Sequence, residues 1–373
     1  MKKIVVLGAG QVGRTIAADL SDHYSVTSAD LNQQNLDLLK ENTSVQTVKI
    51  DLRVADEIKK VIANADLVIG AVPGFMGFEM AKAVIENEIN IVDISFFNED
   101  IFLLDDLAKK NRVTAVFDCG VAPGMDNMIL GFHNSKMDVE FFECLVGGLP
   151  LKRSWPYEYK APFSPIDVIA EYTRPARFVK DGQLVTRPAL SDGELIEFEH
   201  VGTLEAFNTD GLRSLIHTMK IPNMIERTLR YPGHIELMKV LRETGFFSEE
   251  KMMINGQAVR PIDVTSKLLF PMWKPEIGEE EFTLMRVIVR GKENEYIYNL
   301  LDRYDKVTQT PSMSRTTGFT CAAVARLVIE NNYNRTGISP PEFVGAEEKC
   351  FLFVLQYLKE RGVVYKVEER LIG

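Results

Sequence analysis

The chain has 373 residues, with 53 acidic and 43 basic side chains and a formal net charge of −10. This length predicts more than one domain, and the acidic balance argues against a nucleic-acid partner. The four cysteines are far apart in the sequence: Cys119, Cys144, Cys321 and Cys350. This spacing argues against a zinc site or another metal centre, and against disulfides. Without a signal-peptide segment or an apolar run of membrane length, we expect a cytoplasmic protein with no membrane partner.

Strand and helix patterns alternate from the N-terminus to about residue 120. Short apolar runs predict strands, and apolar residues three or four apart predict helices. The predicted strands are residues 3–7, 25–29, 45–50, 66–71, 89–94 and 113–118, and the predicted helices are residues 14–20, 33–41, 57–62, 80–87 and 103–110. This alternation predicts an α/β fold of the Rossmann type, with a doubly wound parallel sheet.

After Gly120 the pattern changes to longer, half-exposed strands with few helices. Strands are predicted at residues 139–146, 178–179, 182–186, 195–198, 251–254 and 282–290, and a helix at 235–244. Lys180-Asp181-Gly182 and Asn255-Gly256 predict hairpin turns. We therefore expect an inserted α+β domain with an antiparallel sheet, followed by helices at 317–330 and 347–361 that pack back on the Rossmann sheet.

A glycine-rich turn joins the first strand to the first helix. It reads Gly8-Ala9-Gly10-Gln11-Val12-Gly13, the G-x-G-x-x-G pattern in its full strand-turn-helix context. Gly8 makes the tight turn, Gly10 lets a pyrophosphate approach the backbone, and Gly13 lets helix and strand pack closely. With Gln11 and Val12 at the start of the helix, the segment predicts a dinucleotide site.

Asp30 ends the second strand, where a carboxylate accepts hydrogen bonds from the adenosine ribose hydroxyls. It disfavours a 2′-phosphate, and residues 31–34 (Leu-Asn-Gln-Gln) bring no cation to offset it. The cofactor predicted from this position is NAD; a helix-capping role for Asp30 is the alternative.

Later strand ends supply the remaining candidates around the cofactor. Asp51 and Leu52 are predicted to border the adenine, and Ala71, Val72 and Pro73 the ribose and nicotinamide half. Ordinary loop roles are the alternative for both segments.

Three acids follow the fifth and sixth strands, at the sheet edge that faces the reactive end of the cofactor. Asp93, Asp118 and Asp126 are candidate general bases there, with capping or turn roles as the alternative. Cys119 is predicted to be a packing residue.

Several segments resemble the saccharopine dehydrogenase/reductase superfamily. They are Gly120-Val-Ala-Pro-Gly-Met-Asp-Asn-Met128, Val146-Gly-Gly-Leu-Pro150, Glu171-Tyr-Thr-Arg-Pro-Ala176, residues 204–214, residues 228–234 and Met313-Ser-Arg-Thr-Thr-Gly-Phe319. The resemblance runs end to end and is greatest to the L-lysine 6-dehydrogenase branch. It implies a Rossmann domain at 1–124, a substrate and dimerisation domain at 125–311, and a C-terminal return at 312–373.

The resemblance also implies NAD-dependent oxidative deamination of the ε-amine of L-lysine, or a related amino acid, by a homodimer. Asp93 and Asp118 are then the candidate proton acceptors, with His234 or Tyr231 as alternates. His133 and His217 are expected to be structural.

Arginines and acids of the second domain are the candidates for binding the substrate's head group. Arg213 and Arg230 are predicted to bind its α-carboxylate, and Glu205 or Asp210 its α-ammonium. Surface charges are the alternative reading of both arginines.

Two other functions remain open from the sequence. One is a saccharopine dehydrogenase/reductase, although Ala122 and Asp93 depart from the residues those enzymes usually carry. The other is a non-catalytic NAD-sensing protein of the same fold.

Overall fold

The computed structural model describes residues 1–276 and 278–372, which divide into two compact units. The first comprises Met1–Asp138 and Met313–Tyr365, and the second comprises Val139–Ser312 with the C-terminal segment from Lys366. The first unit thus extends beyond the expected boundary at residue 124, because the helix that follows packs within it. At Gly131 in that helix an added Cβ would lie 2.0 Å from the backbone oxygen of Glu342.

Up to Asp138 the chain alternates strands and helices. In order they are β1 (Lys3–Leu7), α1 (Gln11–Ser21), β2 (Ser25–Asp30), α2 (Gln33–Asn42), β3 (Gln46–Lys49), α3 (Ala55–Ile62), β4 (Leu67–Gly70), α4 (Gly74–Glu86), β5 (Ile91–Asp93), a short 3₁₀ turn (Ile101–Leu104), α5 (Asp105–Lys110), β6 (Thr114–Val116) and α6 (Met125–Asn134). Each predicted element is present. Only α4 differs substantially, since it begins at Gly74 rather than near Met80. Glycines interrupt the apolar spacing at its start, and Gly77 is needed for packing: an added Cβ would lie 2.5 Å from the Phe97 ring.

The next segment, to Ser312, builds the second unit. Its elements are β7 (Phe141–Pro150), α7 (Pro165–Thr173), β8 (Ala176–Lys180), β9 (Gln183–Arg187), β10 (Glu194–Phe198), β11 (Gly202–Asn208), α8 (Leu215–Thr218), β12 (Asn223–Arg230), α9 (His234–Glu243), β13 (Met252–Ile254), β14 (Gln257–Val259), α10 (Pro261–Trp273), β15 (Glu281–Arg290) and β16 (Asn294–Arg303). The two hairpin turns are confirmed: Asp181, Gly182, Asn255 and Gly256 all have positive φ angles between 48° and 81°.

The C-terminal part contains α11 (Ser312–Ile329), β17 (Gly337–Ile338), α12 (Pro341–Ala346), α13 (Glu348–Glu360) and β18 (Tyr365–Leu371). The two predicted helices, α11 and α13, are both present, and α11 packs on α1, where Gly318 lies against Thr15 and Ile16. The last strand departs from the expected return to the Rossmann domain, because β18 joins the sheet of the second unit. Its exposed, charged sequence hides this pairing from an analysis of apolar patterns.

The sheet of the first unit has the strand order β17-β6-β5-β4-β1-β2-β3, with every pair parallel. The predicted doubly wound Rossmann sheet is therefore confirmed, and β17 extends it as a seventh strand. The chain order reverses between β1 and β4, where Leu7 is in register with both Ala29 and Gly70. Ligands of such sheets bind at this switch point, at the carboxyl ends of the strands.

The nine-stranded sheet of the second unit is mixed, not antiparallel as expected. Its main path is β10-β11-β12-β7-β15-β16-β18, and β12 runs parallel to β7. Strand β12 was missed because Glu226, Arg227 and Arg230 interrupt its apolar pattern, although all three are buried. Burial of charged side chains depends on partners that are distant in sequence, which local patterns do not reveal.

Candidate functional site

The structure shows a different surrounding for each glycine of the turn after β1. Gly8 has φ +112°, and a Cβ there would lie 2.2 Å from the Ala71 oxygen. A Cβ on Gly13 would lie 2.1 Å from the Gly8 oxygen. At Gly10, by contrast, a Cβ would meet no atom of the described chain within 4 Å. The turn is thus tightly packed beneath and open above Gly10, as a backbone cradle for a pyrophosphate requires.

The helix that follows favours negative charge at its start. Gly10 is the N-cap of α1, and the first turn, from Gln11 and Val12 onward, carries no acidic side chain. The N–H groups of this turn and the helix dipole therefore offer an anion site next to the open backbone of Gly10. The residues present fit a bound dinucleotide.

Asp30 lies beside this turn and is held in place by the backbone. Its Oδ2 accepts a hydrogen bond from the Ala9 N–H at 2.6 Å, and its Oδ1 accepts one from the Asn32 N–H at 2.7 Å. Arg14, which sequence reasoning overlooked, donates to the Ala9 oxygen and to Asn35 at 2.9 and 3.1 Å. Burial lowers the pKa of Arg14, and the charge of Asp30 opposes that shift, so the two side chains are electrostatic neighbours.

The residues expected at the two halves of the cofactor lie at the carboxyl ends of β3 and β4. Asp51 is engaged by Arg53 at 2.6 Å, and these hydrogen bonds lower the pKa of Asp51 to about 2. Leu52 is buried. Ala71 abuts Gly8 and donates its N–H to the Leu7 oxygen at 2.8 Å, while Val72 and Pro73 lead into α4.

The three candidate acids are all buried in the first unit. Asp93 is fully buried; its carboxylate accepts hydrogen bonds from the N–H and hydroxyl of Ser95 at 2.8 and 3.0 Å. Asp118 has a left-handed backbone (φ 54°), and Asp126 accepts the Gly124 N–H at 2.9 Å at the start of α6. Cys119 is buried beside them, and burial raises the pKa of its thiol, in keeping with a packing role. All three acids stay candidates for proton transfer, and Asp126 also accepts the N–H of Gly124, the N-cap of α6.

The second unit contains a buried chain of hydrogen bonds around Arg230. The Arg230 Nε–H donates to the Tyr172 hydroxyl at 3.1 Å, and that hydroxyl lies 2.9 Å from Nε2 of His234. Nδ1 of His234 lies 2.9 Å from the Tyr157 carbonyl, which can only accept, so Nδ1 carries the proton and Tyr172 donates to Nε2. Burial and the charge of Arg230 lower the pKa of His234 to about 3. Both ring nitrogens are therefore committed, which gives His234 a positioning role rather than the expected proton-transfer role.

Arg230 is likewise occupied within the protein. Its Nη2 contacts Glu171 at 3.0 Å, and its guanidinium lies 4.5 Å from the centre of the Tyr159 ring. Burial opposes its charge, but Tyr159, Tyr172 and Glu171 outweigh that effect and raise the pKa of Arg230. The expected carboxylate-binding role of Arg230 is thus replaced by a structural one, in which a buried cation is satisfied by its own neighbours.

Three other predicted substrate residues also have partners within the unit. Asp210 is bound by Arg177 through Nε at 2.8 Å and Nη2 at 2.9 Å. Glu205 accepts the Gly233 N–H at the start of α9, and the Tyr231 hydroxyl donates to the Pro150 oxygen at 2.9 Å. Arg213 is 9% exposed.

Sequence reasoning missed the residues that surround Arg230 and Arg213. Tyr159, Glu171, Tyr172 and Arg174 are brought to them by α7 and the segment before it. Three of the four belong to the Glu171–Ala176 motif, which was the available signal.

The fold and the glycine turn define a Rossmann-type dinucleotide-binding protein with an additional α+β unit. Residues 4–116 match the family model of the saccharopine dehydrogenase NADP binding domain, and residues 120–363 match that of the saccharopine dehydrogenase C-terminal domain. The chain belongs to the saccharopine dehydrogenase family, so the predicted family is confirmed. The first unit carries its nicotinamide-dinucleotide-binding domain.

Known proteins similar to this chain include a fungal saccharopine dehydrogenase and a plant alpha-aminoadipic semialdehyde synthase. Saccharopine dehydrogenase [NADP(+), L-glutamate-forming] of Pyricularia oryzae is 26% identical over 283 residues, covering 72% of this chain and 63% of the relative. Alpha-aminoadipic semialdehyde synthase of Arabidopsis thaliana is 25% identical over 337 residues, covering 78% of this chain and 32% of the relative. The chain therefore spans less than two thirds of the length of either relative.

A solved structure supports the fold over the full length. The apo saccharopine dehydrogenase (L-Glu forming) of Saccharomyces cerevisiae superposes with a TM-score of 0.77 at 19% identity, covering 100% of both chains. Within the described residues, no helix combines the length and hydropathy needed to cross a bilayer.

Proposed function

We propose that this protein is a nicotinamide-dependent oxidoreductase acting on the carbon–nitrogen bond at carbon 6 of a lysine-derived amino acid. The observation that carries the proposal is the sterically intact dinucleotide turn at Gly8, Gly10 and Gly13, in a chain that matches the saccharopine dehydrogenase family along both halves. Saccharopine is the first substrate to consider, because relatives named saccharopine dehydrogenase and alpha-aminoadipic semialdehyde synthase match the chain. Oxidation at carbon 6 followed by addition of water would release L-glutamate and 2-aminoadipate 6-semialdehyde.

L-Lysine is the second candidate substrate, and its chemistry is nearly the same. Oxidation at the same carbon gives the same semialdehyde, but the group that leaves is ammonia instead of glutamate. Asp30 favours this candidate, because it disfavours NADP, the cofactor named for the Pyricularia relative.

We further propose NAD as the cofactor. The Asp30 carboxylate is fixed by two backbone N–H groups beside the glycine turn, where the adenosine ribose of a Rossmann ligand lies. The nearest cations are Arg14, which donates to the Ala9 oxygen and to Asn35, and Arg53, which pairs with Asp51. Asp30 alone accounts for binding of the ribose hydroxyls. If the cofactor were NADP, Arg14 and Arg53 would be the cations that could contact its 2′-phosphate.

A dinucleotide held by this turn would supply a hydride acceptor for the oxidation at carbon 6. The α1 N-terminus would bind the pyrophosphate, and Asp30 the ribose hydroxyls. Asp93 or Asp118 would take the proton from the substrate nitrogen or from the attacking water. Two hydrogen bonds from Ser95 hold the Asp93 carboxylate in place.

The test is a matrix of two substrates and two dinucleotides. Purified protein is incubated with saccharopine or L-lysine and with NAD⁺ or NADP⁺, the reduced cofactor is followed at 340 nm, and glutamate and ammonia are assayed as products. Glutamate with saccharopine supports the first candidate, and ammonia with lysine supports the second. Tight NADH binding without turnover of any amine would refute both and favour a non-catalytic NAD-sensing protein.

The expected homodimer remains part of this proposal. The hairpin β13–β14 pairs with no other described strand, and Met252, Met253 and Ile254 on it are 50%, 69% and 47% exposed. An isolated two-stranded hairpin is marginally stable in water, and exposed contiguous apolar surface is typical of association sites. A second copy of the chain packed on this hairpin would stabilise it and bury its exposed apolar side chains.

A further inference from the structure

Both backbone polar groups of Ala9, in the middle of the glycine turn, are held by charged side chains. The Ala9 N–H donates to Oδ2 of Asp30 at 2.6 Å, and the Ala9 carbonyl oxygen accepts a hydrogen bond from Nη1 of Arg14 at 2.9 Å. The Ala9 side chain is fully buried, so packing restrains the residue as well. The turn is therefore fixed between a carboxylate at the end of β2 and a guanidinium on α1.

Arg14 is in turn held by a second helix. The same Nη1 donates to Oδ1 of Asn35 on α2 at 3.1 Å, and one Nη carries enough hydrogens for both bonds. The side chain is half-buried, and the backbone N–H of Arg14 donates to the Gly10 oxygen at 2.9 Å. The guanidinium therefore joins α1, the glycine turn and α2 in one arrangement.

The carbonyl group that Arg14 holds belongs to the peptide bond between Ala9 and Gly10. This bond is trans, and in a planar trans peptide the N–H points away from the carbonyl oxygen. Arg14 thus fixes the direction of the Gly10 N–H, which points away from the guanidinium. Gly10 is exposed, and its N–H donates to no acceptor in the part of the chain that the structure describes. A donor of fixed direction is thereby presented at the open side of the turn.

A restraint of this kind is needed because residue 10 is a glycine. An added Cβ at Gly10 would meet no described atom within 4 Å, so packing does not restrict its conformation. Glycine also has access to more φ and ψ values than other residues, which lets the peptide before it rotate. Without Arg14 the turn would lose that freedom only on binding a ligand, which lowers affinity.

The charge of Arg14 has a second effect at this turn. A phosphate group that approaches Gly10 also approaches Asp30, whose negative charge repels it. Arg14 and Asp30 lie within electrostatic reach of each other, and the first turn of α1 contains no acidic side chain. An incoming pyrophosphate therefore meets a pair of opposite charges instead of an isolated carboxylate.

We propose that Arg14 is a positioning residue of the dinucleotide site, which orients the Gly10 N–H toward the pyrophosphate and offsets the charge of Asp30. It acts through the Ala9–Gly10 peptide and its charge, without touching the cofactor. The inference rests on the proposed function, because it requires that the turn binds a dinucleotide. Arg14 then affects the pyrophosphate, whereas Asp30 affects the ribose.

The experiment compares two fragments of the dinucleotide. ADP contains the pyrophosphate, and adenosine has only the base and the ribose. Their dissociation constants are measured by calorimetry, without any amine substrate. For Arg14→Met we expect the dissociation constant of ADP to rise about tenfold or more, with little change for adenosine. Arg14→Lys keeps the positive charge and can contact the Ala9 oxygen, so it should recover part of the loss.

Two further variants separate positioning from general damage. Arg112→Met removes one exposed guanidinium before the amino end of β6, and it should leave the affinity for ADP unchanged. Asn35→Ala removes one partner of Arg14 without changing the charge, so the dissociation constant of ADP should rise by a smaller factor. This variant also tests the inference if Arg14→Met does not fold.

Three results would overturn the inference while the proposed function stands. They are equal weakening of ADP and adenosine by Arg14→Met, equal weakening of ADP by Arg14→Met and Arg112→Met, and unchanged affinity for ADP in Arg14→Met and Asn35→Ala. If the wild-type protein binds ADP but oxidises neither lysine nor saccharopine, the proposed oxidoreductase is refuted, and the same comparison still decides the role of Arg14. A wild-type protein that binds neither ADP nor NADH refutes both.

Discussion

The choice of cofactor depends on one carboxylate, and Asp30→Asn tests it with minimal change of shape. The substitution removes the negative charge and keeps one oxygen that can accept the Ala9 N–H, now bonded at 2.6 Å. We expect the wild-type protein to prefer NAD⁺ over NADP⁺ and the variant to lose most of that preference.

The magnitude follows from two contributions. A hydrogen bond from a ribose hydroxyl to an ionised carboxylate contributes about 1.5 kcal/mol to the binding free energy, at the lower end of the range for charged groups. Repulsion of a 2′-phosphate at about 5 Å, with an effective dielectric constant of about 20, is roughly 3 kcal/mol per unit charge. Because Asp30 is half-exposed, solvent and salt reduce that repulsion to about 1.5 kcal/mol. The sum of about 3 kcal/mol corresponds to a change of about a hundredfold in the ratio of the two specificity constants.

The assay measures kcat/KM for both dinucleotides at fixed amine concentration, in the wild-type protein and in Asp30→Asn. Asp37→Asn is the matched control, since Asp37 lies exposed on the following helix α2, where it accepts a hydrogen bond from Gln33. A wild-type preference for NADP⁺, or an unchanged ratio in Asp30→Asn, would refute the reasoning. In that event Arg14 and Arg53 are the residues to examine as partners of a 2′-phosphate.

Three further perturbations have definite expected outcomes. Gly8→Ala brings a Cβ to 2.2 Å from the Ala71 oxygen at φ +112°, so we expect NADH binding, measured by fluorescence titration, to weaken more than tenfold. In the folded protein the pKa of His234 is about 3, against about 6.5 in the unfolded chain. Between these two pH values the unfolded chain binds one more proton than the folded protein. The free energy of unfolding therefore decreases as the pH falls below about 6.5, by up to about 1.4 kcal/mol per pH unit. His234→Asn should flatten that slope in urea unfolding at pH 7.5 and pH 5. Met253→Glu should shift the protein from dimer to monomer in sedimentation experiments.

The first two outcomes each have a control variant. Gly182→Ala, at a hairpin turn with φ +75° and open space, should leave NADH affinity intact while costing some stability. His200→Asn, on an exposed side chain, should not change the pH slope. An unchanged slope in His234→Asn would contradict the assigned tautomer and burial, and a monomeric wild-type protein would end the dimer proposal.

The second unit shows where sequence reasoning stopped. Arg230 was noticed as a substrate ligand, but its partner Glu171 lies 59 residues away, and Tyr172 lies 62 residues from His234. The parallel pairing of β12 with β7 also joins segments about eighty residues apart. No local pattern encodes such contacts, because each depends on where the rest of the chain folds.

By itself the sequence determined the Rossmann alternation, the hairpin turns and the dinucleotide turn with Asp30. These features are local: strand, turn and helix are specified by apolar spacing and by glycines a few residues apart. The tertiary structure decided which partners the buried charged residues have. It placed Arg230, His234 and Asp210 in internal contacts, since the energy of a buried charge is fixed by neighbours that only the folded chain supplies.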